Sequence, residues 1–223
     1  CECVAKRISR GVARVNQPLA QLSMQEFADR LASKSPSPGG GAVAAVTAAH
    51  SAALGCMVLA YTLGKPKFAA HESENTKALE FFQRAQITAL ALADEDAVAY
   101  GNLSALWKLP PTDARRVAQE PDAVRAATAA PMSILMLAHD ILETLQKLPK
   151  TCNPNLLSDL AIAATLADTA AGAAAWNVRV NVPQLRDAAE RATTENKLAH
   201  ALAHVHSTSD SIARDITAVM KAK

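Results

Sequence analysis

The sequence predicts an all-α fold, a bundle of about six helices with long, buried, Ala-rich helices. Half of the 223 residues are hydrophobic but only 4% are aromatic, so small aliphatic side chains carry the apolar fraction. Alanine loses no side-chain entropy in a helix and favours that conformation. Apolar residues also recur at helical spacing, as in Leu79, Phe82, Ala85, Ala89, Leu92 and Val98. Proline- and glycine-rich breaks separate these runs, at SPSPGGG, GKPKF, KLPPTD and KLPKTCNPN.

Residues 1–16 are mixed and basic and read as an N-terminal arm, leaving residues 17–223 as a single helical domain. Ser23 and Glu26 in SMQE form a capping box that starts a helix ending near residue 34. A second helix is predicted over about residues 40–63, closed by GKPKF. The third runs over about 70–107 and stops at KLPPTD. The fourth is expected over about 121–148, kinked by Pro131. The fifth starts near residue 156, and the sixth opens at Pro183 and ends near residue 220. NVRVNV alternates with period two, but six residues are too few to change the class. Small residues recur on the second and fifth helices and allow close backbone approach, within one chain or across a dimer.

A net charge of +2 argues against a nucleic-acid partner held by a broad basic face. Cysteines 1, 3, 56 and 152 have neither zinc-site spacing nor the density of a disulfide scaffold, which predicts a reducing, cytoplasmic setting. No signal peptide is visible, and a chain beginning at Cys1 predicts that something upstream was removed or not included. Residues 39–64 carry no charge and are long enough to span a bilayer, but their alanine, glycine and polar content fits the central helix of a bundle better than a membrane.

Several stretches can carry chemistry. Gly39, Gly40 and Gly41, after Pro38, lead into a helix whose free amides and dipole suit an anion; alternatively they only permit a turn and tight packing. The spacing lacks the lysine of a phosphate-binding P-loop. Lys65 and Lys67 at the far end of that helix can hold a carboxylate or stand solvated. Asp94, Glu95 and Asp96 lie in an apolar context, so one of them can point inward, although residues two apart share no helix face. Asn153, Asn155 or Ser158 can cap the fifth helix, with Asp159 in its first turn and Asn177, Arg179 and Asn181 at its end. Asp159 and Asn177 stand eighteen positions apart, about 27 Å on one continuous helix, so they meet one ligand only through a break near Gly172, a long ligand or an antiparallel partner. His200, His204 and His206 form HxxxHxH; the first two share a face, but no third metal ligand of matching spacing is evident.

FADRLASKSPSPGGGAVAA, GKPKF, DEDAVAY with its leucine-proline break, APMSILMLA, and NPNLLSDLAIAA leading to AAAWNVRVNV occur in that order over about residues 24–185. Together they resemble the cyclodeaminase/cyclohydrolase family of folate enzymes, which includes stand-alone methenyltetrahydrofolate cyclohydrolases and the C-terminal domain of formiminotransferase-cyclodeaminase. The resemblance implies an all-helical homodimer acting on a tetrahydrofolate that carries a one-carbon unit, with no metal and no cofactor. It implies Asp159 and Asp96 as acid/base and electrostatic groups, and Lys65 and Lys67 as holders of the folate glutamate tail. It implies Asn155 and Asn177 as pterin ligands, with Ser158 and Arg179 nearby in their motifs, and the Pro38–Gly41 turn as bare backbone for a flat ring or an acidic tail.

A stand-alone chain leans toward the cyclohydrolase; an upstream formiminotransferase domain or partner would favour the cyclodeaminase, which releases ammonia. A non-catalytic folate-binding or scaffold protein of the same fold predicts binding without turnover. A plain helical interaction bundle predicts neither.

Overall fold

The glycine- and proline-rich breaks fall where the helices change direction. A computed structural model describes residues 17–221, so the N-terminal arm expected over 1–16 lies outside the described residues. Six α-helices follow: α1 (Met24–Leu31), α2 (Gly40–Ala60), α3 (Glu72–Trp107), α4 (Ala114–Leu145), α5 (Leu157–Asn181) and α6 (Ala188–Lys221). Among the described residues there is no strand. The alternating NVRVNV stretch is the last turn of α5 and the start of a short 3-10 turn.

The Ser23–Glu26 capping box forms as expected, satisfying two free amides of α1. Gly64 takes a left-handed backbone with φ 72°, the conformation that suits glycine and lets GKPKF end the preceding helix. α4 begins earlier than Pro121. Asp113 caps it by accepting from the Arg115 amide at 2.9 Å. Glu120 then accepts from Arg116 at 3.1 Å and from the Trp107 indole at 3.1 Å, which ties this first stretch to the end of α3. Pro121 and Pro131 both lie inside α4, so the helix continues through each missing amide. α6 also starts later than expected. Pro183 stays in the 3-10 turn Val182–Gln184, and Asp187 accepts from the Ala189 amide at 2.8 Å to begin the helix.

α2 packs against α3 and α5, α4 covers α3 and α5, and α6 lies across α4 and α5. Ala42, Ala45, Ala48 and Ala52 of α2 are fully buried, as are Ala163, Ala167, Ala171 and Ala174 of α5. Small side chains let the helix backbones come close, and Ser51 uses that closeness to donate to the Ala163 carbonyl at 2.7 Å. Gly40–Ala60 and Pro154–Gln184 are both long and apolar enough to cross a bilayer, but α2 and α5 form the core of this bundle.

Gly55 marks the tightest of these contacts. A Cβ there would lie 2.8 Å from the Phe82 ring, which is itself completely buried. Gly55→Ala is therefore expected to lower unfolding free energy by about 1–3 kcal/mol through overpacking. Urea denaturation checks this; an unchanged midpoint would mean that the ring swings aside freely.

Candidate active site

The first turn of α2, one face of α3 and the end of α5 enclose a cleft of about 440 Å3. Gly39, Gly40 and Gly41 form one wall, Asp96, Tyr100 and Trp107 a second, and Asn177, Asn181 and Gln184 a third. Helical spacing explains the selection. Asp96 and Tyr100 are four apart and Trp107 lies two turns beyond; Asn177 and Asn181 are likewise four apart.

The three glycines are not equivalent. Gly39 is the N-cap, with extended backbone and open space around it. Gly40 stands 3.6 Å from the Asn177 amide group, measured from the place a Cβ would take. Gly41 is the one that must lack a side chain, because the Asp96 carboxyl occupies the space a Cβ would fill. No side chain caps this end of α2, so its first amides stay available beside that carboxyl. Pro38 is buried behind the turn, joined to Ser37 by a cis peptide, and does not line the cleft.

Asp96 is half-buried, and burial pushes its carboxyl above the ordinary aspartate range. No hydrogen bond from the described residues opposes that shift. The neighbouring acids have other places. Asp94 accepts from the Leu19 amide at 2.7 Å and tethers the chain ahead of α1, while Glu95 is exposed. Of the DED run, Asp96 is thus the inward-pointing member.

The far wall is fixed by hydrogen bonds to backbone. Asn177 Nδ2 donates to the Ala173 carbonyl at 3.1 Å. Asn181 Nδ2 donates to the Ala127 carbonyl of α4 at 2.7 Å. That carbonyl is available because Pro131, four residues on, has no amide to offer it. Arg116 bonds Glu120 and donates to the Leu109 carbonyl at 2.9 Å, which holds the Trp107 end in position.

The remaining expected site residues lie elsewhere. α5 is continuous through Gly172, so no helix break brings Asp159 to Asn177. Asn155, Ser158 and Asp159 sit at the opposite end of α5, close to the end of α2, where Asn153 donates to the Tyr61 carbonyl at 3.3 Å. Asn153 is the cap here; it accepts from the Asn155 amide at 3.2 Å. Lys65 and Lys67 are exposed in the segment following that end of α2. Arg179 stacks on exposed Trp176, 5.0 Å from the ring centroid, outside the cleft. Sequence reasoning missed Tyr100 and Gln184 and gave no site role to Trp107 or to Asn181, which it placed only at the end of the fifth helix; the four-residue spacing to Asp96 and Asn177 is the signal that finds Tyr100 and Asn181. A second hollow of about 450 Å3, near Phe81 and Lys147, contains a buried amide already paired: Asn75 and Thr151 bond each other at 3.1 Å.

The formiminotransferase-cyclodeaminase family matches residues 23–200. The methenyltetrahydrofolate cyclohydrolase of Methylorubrum extorquens is 32% identical over 180 residues, covering 79% of this chain and 85% of that protein. The formimidoyltransferase-cyclodeaminase of Rattus norvegicus is 30% identical over 190 residues, 83% of this chain but 35% of the longer rat protein. The crystal structure of formiminotetrahydrofolate cyclodeaminase from Thermotoga maritima aligns with a TM-score of 0.84 at 26% identity, over 91% of this chain and 99% of that one. The motif order, the helical bundle and these likenesses agree: the chain belongs to the formiminotransferase-cyclodeaminase family of folate one-carbon enzymes.

Proposed function

We propose that the chain hydrolyses methenyltetrahydrofolate to formyltetrahydrofolate in the Asp96 cleft. The observation that carries this reading is the Asp96 carboxyl, half-buried, unbonded by described donors and set against Gly41 at an uncapped helix end. In the substrate a cationic carbon bridges two nitrogens. Ionised Asp96 stabilises that cation and accepts a proton as water oxygen bonds to the carbon. One C–N bond then breaks. Of the two water protons, one ends on the released nitrogen and one leaves to solvent, while the oxygen stays as the formyl carbonyl. Asn177 Oδ1 and the first amides of α2 supply an acceptor and donors for the pterin edge. No cofactor enters this scheme.

Loss of methenyltetrahydrofolate absorbance, corrected for uncatalysed hydrolysis, tests the activity. Release of ammonia from formiminotetrahydrofolate tests the alternative, which the likeness to the Thermotoga cyclodeaminase supports. That substrate would need a formimino transferase, as an upstream domain or a separate protein.

A homodimer gives the second residue set a role. α5 exposes Ile162, Trp176 and Val180 along its outer side. Antiparallel pairing of two copies over this face would bring Asp159, Asn155 and Ser158 of one toward Asn177 of the other. Lys65 and Lys67 would then lie within reach of a glutamate tail. Subunit complementation measures this. Asp96→Asn and Asp159→Asn are each expected to be inactive, and their co-expressed mixture to recover about a quarter of wild-type turnover, since half the dimers are mixed and each has one intact site of two. Full activity of Asp159→Asn alone would confine the site to one chain.

A further inference from the structure

The HxxxHxH motif of α6 is divided between two neighbours. His206 pairs with Asp168 of α5 through Nδ1 and Oδ1. His204 turns instead to α4, where its Nε2 lies 2.7 Å from Glu143 Oε1. His139, one helical turn before Glu143, brings its ring to 4.8 Å from that of His204, centroid to centroid. One potential ligand atom from each of His139, Glu143 and His204 lies within 4.8 Å of the others. His139 Nδ1 is engaged by Asp140 Oδ1 at 2.9 Å, which leaves Nε2 as the nitrogen for a further partner.

We propose that His139, Glu143 and His204 form a three-ligand site for a borderline divalent cation, Zn2+ being the best match, which clamps α6 onto α4. Two imidazoles and one carboxylate suit zinc or a neighbouring late transition ion better than magnesium or calcium, which prefer all-oxygen shells. Tetrahedral zinc with bonds of about 2.0–2.1 Å needs ligand atoms about 3.3 Å apart. His204 Nε2 and Glu143 Oε1 stand 2.7 Å apart and all three atoms lie within 4.8 Å of one another, so exposed His204 and the half-buried Glu143 and His139 need only rotamer adjustment to reach it. Asp140 would act from behind His139, orienting its ring as carboxylates commonly do for zinc-bound histidines. The pairing of one helix turn on α4 with a single residue of α6 makes the ion a cross-link between elements rather than decoration on one. His139 is twelve residues from Ala127 of the cleft wall, about 18 Å along α4, so this site is separate from the proposed chemistry.

The test uses untagged full-length protein, stripped with a chelator and titrated with Zn2+ against a chromophoric competitor. One tight equivalent is expected, with a thermal midpoint raised by about 5–10 °C at a hundredfold excess over Kd. His139→Ala/His204→Ala should lose that equivalent and the thermal shift. Glu143→Gln, a milder change, should weaken binding about tenfold or more while circular dichroism stays unchanged. Cys1→Ser/Cys3→Ser should keep the equivalent, and Mg2+ should neither bind tightly nor shift the midpoint. Zinc binding that survives the double histidine change, binding that vanishes with the cysteines, or no tight equivalent in the wild type would overturn the proposal.

Discussion

Asp96→Asn is expected to lower kcat by about 10²–10⁴-fold and, at neutral pH, to make the protein more stable. Both effects come from the same burial. The carboxyl is held away from water with no described donor to compensate, so its folded-state pKa lies above the ordinary value. Below the ordinary aspartate range the carboxyl is protonated in folded and unfolded chains alike and has no effect on stability. As pH rises from there through the raised folded value, the unfolded chain ionises more readily, and the fold loses stability. Above the raised value the deficit is constant. Wild type and Asp96→Asn should therefore melt together in acid and separate toward neutrality, with the variant higher. Turnover has the opposite dependence, because the ionised form is the base: wild-type kcat/KM should rise with pH through the raised value. Equal melting of the two proteins at neutral pH would mean that the carboxyl is well solvated.

Gly41→Ala is the second large effect. The methyl group would occupy space that the Asp96 carboxyl already fills. Either the carboxyl swings away or the first turn of α2 shifts, and each moves the base relative to the bound carbon. A displacement of about 1 Å in a positioned group commonly costs about a hundredfold in rate. kcat should therefore fall by about two orders of magnitude with a smaller change in KM. Gly39→Ala is the comparison, because its backbone is extended and no protein neighbour lies within 4 Å of the added atom, so the Asp96 carboxyl keeps its place. Equal loss of activity in both variants would mean that added bulk in the cleft wall, rather than displacement of Asp96, is what turnover cannot tolerate.

Helix identity and order were legible because local chemistry decided them: the Ser23–Glu26 box, the left-handed Gly64 and the proline-rich breaks act over a few residues. The start of α4 was not, since Pro121 suggested an N-terminus, whereas Asp113 and the Trp107–Glu120–Arg116 contacts carry the helix through it. In the candidate site, the apolar surroundings of Asp96 indicated that one acid of the run points inward, but choosing among the three required knowing that Asp94 is occupied by Leu19. The helical rise alone separated Asp159 from Asn177. Contacts between distant helices left no trace in spacing: His204 meets Glu143 sixty-one positions away, and Asn181 finds its acceptor on another helix.

Ala127 offers a main-chain oxygen, which no exchange of its own side chain can delete, and Pro131 is what keeps that oxygen unclaimed within its helix. A residue absent from the cleft lining thus helps specify one wall of it. Selection acting on the cleft would register at position 131 as well, so a survey confined to lining residues would mistake a shaping constraint for ordinary core conservation.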